Sequence, residues 1–142
     1  NFKYQILATD VSGAVLEKAR KAVYEMEMVK PVPLPLKRKY LLKSKDSQRK
    51  QVRVVPELRE HVRFRHLNFV DRDFGLREKM DVIFCRNVIS YYDKPVRQHL
   101  LRRFCDHLAP GGYLYLDPSE SQETIPSVLT TTASPAVYRL AA

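Results

Sequence analysis

The run Asp81-Val82-Ile83-Phe84-Cys85-Arg86-Asn87-Val88-Ile89-Ser90-Tyr91-Tyr92-Asp93 carries an apolar, strand-like segment straight into an Arg-Asn pair and a tyrosine. That order of residues is how an α/β protein brings polar groups to the carboxyl end of a sheet, where ligands sit in open parallel sheets. A second segment, Ile6-Leu7-Ala8-Thr9-Asp10, ends the same way, delivering a carboxylate just before a helix. Two strand ends with polar cargo predict one shared ligand cleft.

Working outward from Ile6–Asp10, Ser12 can cap a helix in which Val15, Ala19, Ala22 and Val23 recur at helical spacing, with Lys18, Arg20 and Lys21 opposite. Lys30-Pro31-Val32-Pro33-Leu34-Pro35 breaks that pattern, because proline removes donors and biases its predecessor away from helix. The runs Tyr40-Leu41-Leu42, Gln51 to Val55 and His61 to Arg65 then read as short strands of a small antiparallel insertion, the last of them able to rejoin the main sheet.

Working forward from Asp81–Cys85, Asp93-Lys94-Pro95 is an acidic cap with proline in the first turn. Val96, Leu100, Phe104 and Leu108 follow at four-residue intervals, and Pro110-Gly111-Gly112 is expected to end the helix before a strand Tyr113 to Asp117. Val137-Tyr138-Arg139-Leu140 is expected as a last edge strand. Alternating strands and helices imply a mostly parallel α/β sheet with right-handed crossovers. The division expected is 1–30 and 67–142 for the main α/β domain, with 31–66 inserted. The four glycines, at 13, 75, 111 and 112, supply no glycine-rich strand-turn-helix of the kind nucleotide folds place against a ligand.

The 142 residues suit about one domain. No apolar run approaches the ~20 residues of a membrane span, and Asn1-Phe2-Lys3-Tyr4 opens no secretory h-region, so a soluble, cytoplasmic protein is expected. Cys85 and Cys105 imply no disulfide framework and read as small buried hydrophobes. His61, His66, His99 and His107 make neither an HExxH pair nor a zinc spacing, and no metal site is expected.

The net charge of +9 is concentrated in Lys37, Arg38, Lys39, Lys43, Lys45, Arg49, Lys50, Arg53, Arg59, Arg63 and Arg65. Such a stretch attracts anionic partners, or is a solvated hairpin. Its aromatics are not interleaved as a stacking platform requires, which argues against nucleic acid.

Ala8-Thr9-Asp10-Val11-Ser12 with Leu16-Glu17-Lys18-Ala19-Arg20, Val52-Arg53-Val54, Leu67-Asn68, Asp81 to Asp93, Pro110-Gly111-Gly112-Tyr113-Leu114 and Ser119-Glu120-Ser121 together resemble, in order, the chemotaxis receptor methyltransferases of the CheR family. The resemblance implies a Rossmann-like fold dependent on S-adenosylmethionine, releasing S-adenosylhomocysteine and methylating glutamate side chains on chemoreceptors. It also implies that the inserted β-subdomain, residues 39–66, docks a receptor C-terminal peptide by strand addition.

Position by position, the resemblance assigns Asp10 to the cofactor ribose, Asn68 and Phe69 to adenine, Arg86 and Asn87 to the cofactor pocket, and Tyr91 to the neighbourhood of the reactive sulfur. Arg86 and Tyr91 are then the catalytic candidates. Plainer roles stand beside these: a helix-start Asp10, a turn-forming Asn68, a structural ion pair for Arg86 and a core position for Tyr91. The chain departs from the family in having Asp117-Pro118 where Gly-His is usual before Ser-Glu, and in lacking the family's N-terminal helical domain and first strand. That strand would lie between Ile6–Asp10 and Asp81–Cys85, so these residues are expected to be the C-terminal portion of a longer methyltransferase, or to have the gap filled by another chain. The rival expectation is a non-catalytic interaction module that keeps the β-subdomain and binds receptor or signalling partners.

Overall fold

The computed structural model describes residues 3–46, 48–120 and 125–141. They fall into two compact units, residues 1–68 and 69–142.

In the first unit, strand β1 (Ile6–Asp10) leads into helix α1 (Gly13–Lys21). Ser12 caps that helix as its sequence predicts, its hydroxyl accepting the Val15 N–H at 3.3 Å. The helix is shorter than expected. Ala22 turns left-handed at φ 52° and donates its N–H back to the Ala19 carbonyl, so Val23 leaves the helix and opens a strand instead. The face facing inward also differs: Leu16 is buried, whereas Val15 is half exposed.

Strand β2 (Val23–Glu25) starts a three-stranded antiparallel sheet with β3 (Leu41–Lys43) and β4 (Gln51–Val54), in the order β2-β4-β3. The small sheet therefore begins ahead of Pro31. Between β2 and β3 lies helix α2 (Leu34–Tyr40), which the proline-rich sequence concealed. Pro35 stands in its first turn, where an N–H has no intrahelical partner to lose, and Lys37, Arg38 and Lys39 oppose the dipole in its last. A short helix, α3 (Pro56–Arg59), then leads to β5 (Val62–His66). Strand β5 rejoins β1 in parallel, Ile6 opposite Val62 and Asp10 opposite His66. The basic stretch is spread over α2, β3, β4, α3 and β5 and is mostly exposed.

In the second unit, β6 (Met80–Phe84) crosses through helix α4 (Lys94–His107) to β7 (Leu108–Tyr115), which pairs with it in parallel. Asp93 caps α4 by accepting the Val96 N–H at 3.1 Å, and Pro95 sits in the first turn. Leu100, Leu101 and Phe104 form its buried face. Leu108 is already strand, and Pro110-Gly111-Gly112 lies inside β7 rather than ahead of it. The strand takes them up through a register shift: Met80 faces Leu108, but Val82 faces Tyr113.

β8 (Leu129–Thr131) and β9 (Val137–Leu140) complete a four-stranded sheet in the order β6-β7-β9-β8. Strand β9 is thus interior, and β8, unforeseen in the sequence, takes the edge. The apolar look of β6 also misleads, since Val82 is 42% and Phe84 71% exposed. Among the described residues β6 pairs only with β7, and β1 only with β5, so each presents an open edge. Among the described residues no helix is long and apolar enough to cross a membrane.

Candidate functional site

The first unit brings Asp10 and Asn68, and the second Arg86 and Asn87, to the carboxyl end of a parallel strand pair, whereas Phe69 lies apart from the strand end of its unit, against helix α4. In the first unit, Asp10 ends β1 and its Oδ1 accepts the Ser12 N–H at 2.7 Å. Among the described residues its other oxygen, Oδ2, accepts no hydrogen bond. The Asp10 carbonyl accepts the Leu67 N–H at 3.0 Å, which sets Asn68, half-buried, one residue past the same sheet end. Parallel pairing is what joins the two, because both strands finish on the same side.

In the second unit, the turn after β6 carries Arg86, Asn87 and Tyr91. Cys85 is buried and its N–H donates to the Tyr115 carbonyl at 2.9 Å, so the turn leaves the sheet from a fixed point. Burial, and then the neighbouring Glu120 carboxylate, push the Cys85 thiol up to about 12, leaving it neutral at ordinary pH. Both cysteines are free thiols. Asn87 adopts the left-handed conformation at φ 57°, which asparagine tolerates better than most residues. The 3-10 turn Ile89–Tyr91 then buries Ile89 completely and leaves Tyr91 84% exposed. Tyr91 is therefore no core residue.

Arg86 makes the ion pair that the sequence held open as its plainer role: its guanidinium reaches Asp117 Oδ2 at 3.3 Å, with 60% of its own side chain exposed. Asp117 Oδ1 accepts both the N–H and the hydroxyl of Ser119, at 3.0 and 2.7 Å. Those two bonds, followed by Arg86, hold the Asp117 carboxyl below its usual range. The departure from Gly-His at 117–118 thus acts on Arg86 itself. Ser121 of the Ser-Glu-Ser motif lies outside the described residues.

Phe69 packs edge-on to Phe104, with centroids 5.5 Å apart, and tilts against Phe74 at 5.8 Å. Arg103, itself buried, lies 3.6 Å over the Phe74 ring and donates to the Phe69 carbonyl at 3.2 Å and to that of Asp71. Beside this cluster, Phe69, Val70, Pro95, Val96 and His99 line an open hollow of about 260 Å³. Its apolar wall suits the face of a planar ring.

Glu120 was not singled out by its sequence except as part of a motif. It is buried, accepts the Ser90 N–H at 3.0 Å and the Asp117 N–H at 3.3 Å, and so joins the turn after β6 to the one after β7.

A family model described as CheR methyltransferase, SAM binding domain, matches residues 1–137. Chemotaxis protein methyltransferase 2 of Pseudomonas aeruginosa is 38% identical over 136 residues, covering 93% of this chain and 49% of the relative. The chemotaxis protein methyltransferase of Borreliella burgdorferi is 40% identical over 121 residues, 85% of this chain and 42% of the relative. That of Klebsiella aerogenes is 39% identical over 118 residues, 82% and 40%. The chain thus spans less than half the length of these curated relatives. A solved structure of PKMT2 from Rickettsia typhi in complex with AdoHcy aligns with 79% of this chain and 16% of that one, at 19% identity and a TM-score of 0.47.

Proposed function

The chain belongs to the CheR methyltransferase family through its SAM-binding domain, and from that membership we propose that it is the C-terminal part of an enzyme that methylates glutamate side chains on chemotaxis receptors. The observation that carries the proposal is the family match over residues 1–137, joined to polar residues at the carboxyl ends of both parallel strand pairs. S-Adenosylmethionine, when bound, supplies an electrophilic methyl group on a sulfonium.

In each unit taken by itself, the residues present suit a part of that cofactor. Asp10 Oδ2 has no internal partner among the described residues and suits ribose hydroxyls. Asn68 offers an amide to a base edge, and Phe69 with its hollow offers an apolar face. Arg86 and Asn87 lie together after β6, and Arg86 can present the donors that Asp117 does not engage.

Methyl transfer to a carboxylate breaks the carbon–sulfur bond, whose electron pair stays on sulfur, and forms a carbon–oxygen bond. The substrate glutamate, with a reference pKa of about 4.3, is already ionised near neutral pH, so no general base is required. The work left to the protein is orientation and partial desolvation of two opposite charges. Arg86 would steer the carboxylate, and Tyr91, exposed later in the same turn, would wall the path of transfer.

The small sheet is proposed to dock a receptor C-terminal peptide at residues 39–66. Strand β3 supports this, since among the described residues it pairs only with β4 and leaves an edge open to strand addition. The open edges of β1 and β6 support the further proposal that upstream sequence contributes the missing first strand. The division into 1–30 with 67–142 and an insertion at 31–66, whose sheet draws one further strand from Val23–Glu25, and a cytoplasmic location, complete the proposal.

Calorimetric titration of S-adenosylhomocysteine into the protein extended by its upstream part tests the cofactor assignment. Saturable heat at a one-to-one ratio is expected, and its absence would leave only the interaction-module reading.

A further inference from the structure

We propose that Glu120 is a positioning residue that fixes the Arg86–Tyr91 turn, an inference that rests on the cofactor reading of that turn. Its two carboxylate oxygens accept backbone N–H groups from two different segments, Ser90 at 3.0 Å and Asp117 at 3.3 Å. A buried carboxylate that satisfied only a local cap would reach one segment. Here each oxygen is committed to a different turn, and the group is 4% exposed.

The hold extends to Arg86 by a second route. The Glu120 N–H donates to the Asp117 carbonyl at 2.9 Å, and Asp117, locked by Ser119, presents Oδ2 to the guanidinium at 3.3 Å. The turn is therefore gripped at both ends, by its first side chain at 86 and by its backbone at 90. Between those points lie the left-handed Asn87 and fully buried Ile89. Arginine orientation costs side-chain entropy that a free turn would have to lose on binding, so gripping it beforehand favours the ligand.

Glu120→Gln is the informative change. The amide keeps one acceptor oxygen but turns an NH2 toward the other backbone N–H, so one of the two attachments must fail. Residue-resolved amide hydrogen exchange on the chain should show Ser90 and Asp117 protected in the wild type. In the variant one or both should exchange about tenfold faster, with Leu114 unchanged. Glu120→Asp, whose arm is one methylene shorter, should behave likewise and serves if the Gln variant does not fold. In the protein extended by its upstream part, S-adenosylhomocysteine should bind about tenfold more weakly to either variant.

An unprotected Ser90 amide in the wild type would overturn the proposal outright. Faster exchange with unchanged affinity would reduce Glu120 to a structural tie and overturn its positioning role. Failure of the wild type to bind the ligand would refute the cofactor reading and the positioning role with it, while the exchange data would still judge the two-turn hold.

Discussion

The backbone N–H of Leu67 donates to the carbonyl of Asp10 at 3.0 Å, carrying the β1–β5 ladder one step past its last paired residues, Asp10 and His66. A carboxylate and an amide distant in sequence are thereby brought to one sheet end by backbone bonding. Asp10→Asn keeps an acceptor for the Ser12 N–H but replaces the remaining oxygen with a donor. Hydrogen bonds to charged groups are worth about 1.5–3 kcal/mol, so S-adenosylhomocysteine should bind the extended protein at least about tenfold more weakly by calorimetry. Far-ultraviolet circular dichroism should be unchanged.

Leu100 and Val15 are both apolar helix positions, but Leu100 is fully buried and Val15 is half exposed. Leu100→Ala should cost about 2–5 kcal/mol in urea unfolding through lost burial and an unfilled cavity. Val15→Ala should move stability by less than about 0.5 kcal/mol.

Gly112 and Gly13 separate in the same way. A Cβ at Gly112 would stand 2.9 Å from the Ala109 carbonyl oxygen and 3.0 Å from that of Asp81, both backbone atoms that cannot swing aside. Gly112→Ala should destabilise by about 1–3 kcal/mol. At Gly13 a Cβ meets nothing within 4 Å, and Gly13→Ala should stabilise by about 0.4–1 kcal/mol by restricting the unfolded chain.

The Cys85 thiol, raised from 9.0 to about 12 by burial and then by Glu120, gives an alkaline signature. Well below pH 9 the thiol is protonated whether folded or unfolded and contributes no pH dependence. Between 9 and about 12 the unfolded chain loses this proton and the folded chain keeps it, so stability falls as pH rises. Urea midpoints from pH 8 to 10.5 should drop more steeply for the wild type than for Cys85→Ala. Equal slopes would remove the buried-thiol assignment.

The β6–α4–β7 crossover was legible because its signals agree: an apolar run, an Asp cap, proline in the first turn and a four-residue apolar repeat. β2 and β8 are three residues each, too short for a periodic pattern to declare them. Helix α2 was hidden because proline argues against a helix interior yet is tolerated in a first turn. The left-handed Ala22, which ends α1 early, carries no glycine or asparagine to announce it. In the candidate site, the Arg86–Asn87 turn was readable from its place after a strand. The Asp117–Arg86 pair and the Glu120 hold were not, since they depend on two turns about 30 residues apart meeting side by side.

Transfer of a tritium-labelled methyl group from S-adenosylmethionine to a receptor cytoplasmic fragment, by the protein extended by its upstream part, tests the central claim most directly. The expected product is a glutamate methyl ester, detected as label released as volatile methanol by mild alkali and lost when the acceptor glutamates are changed to alanine. Cofactor binding without any alkali-labile label on the receptor fragment would contradict the account.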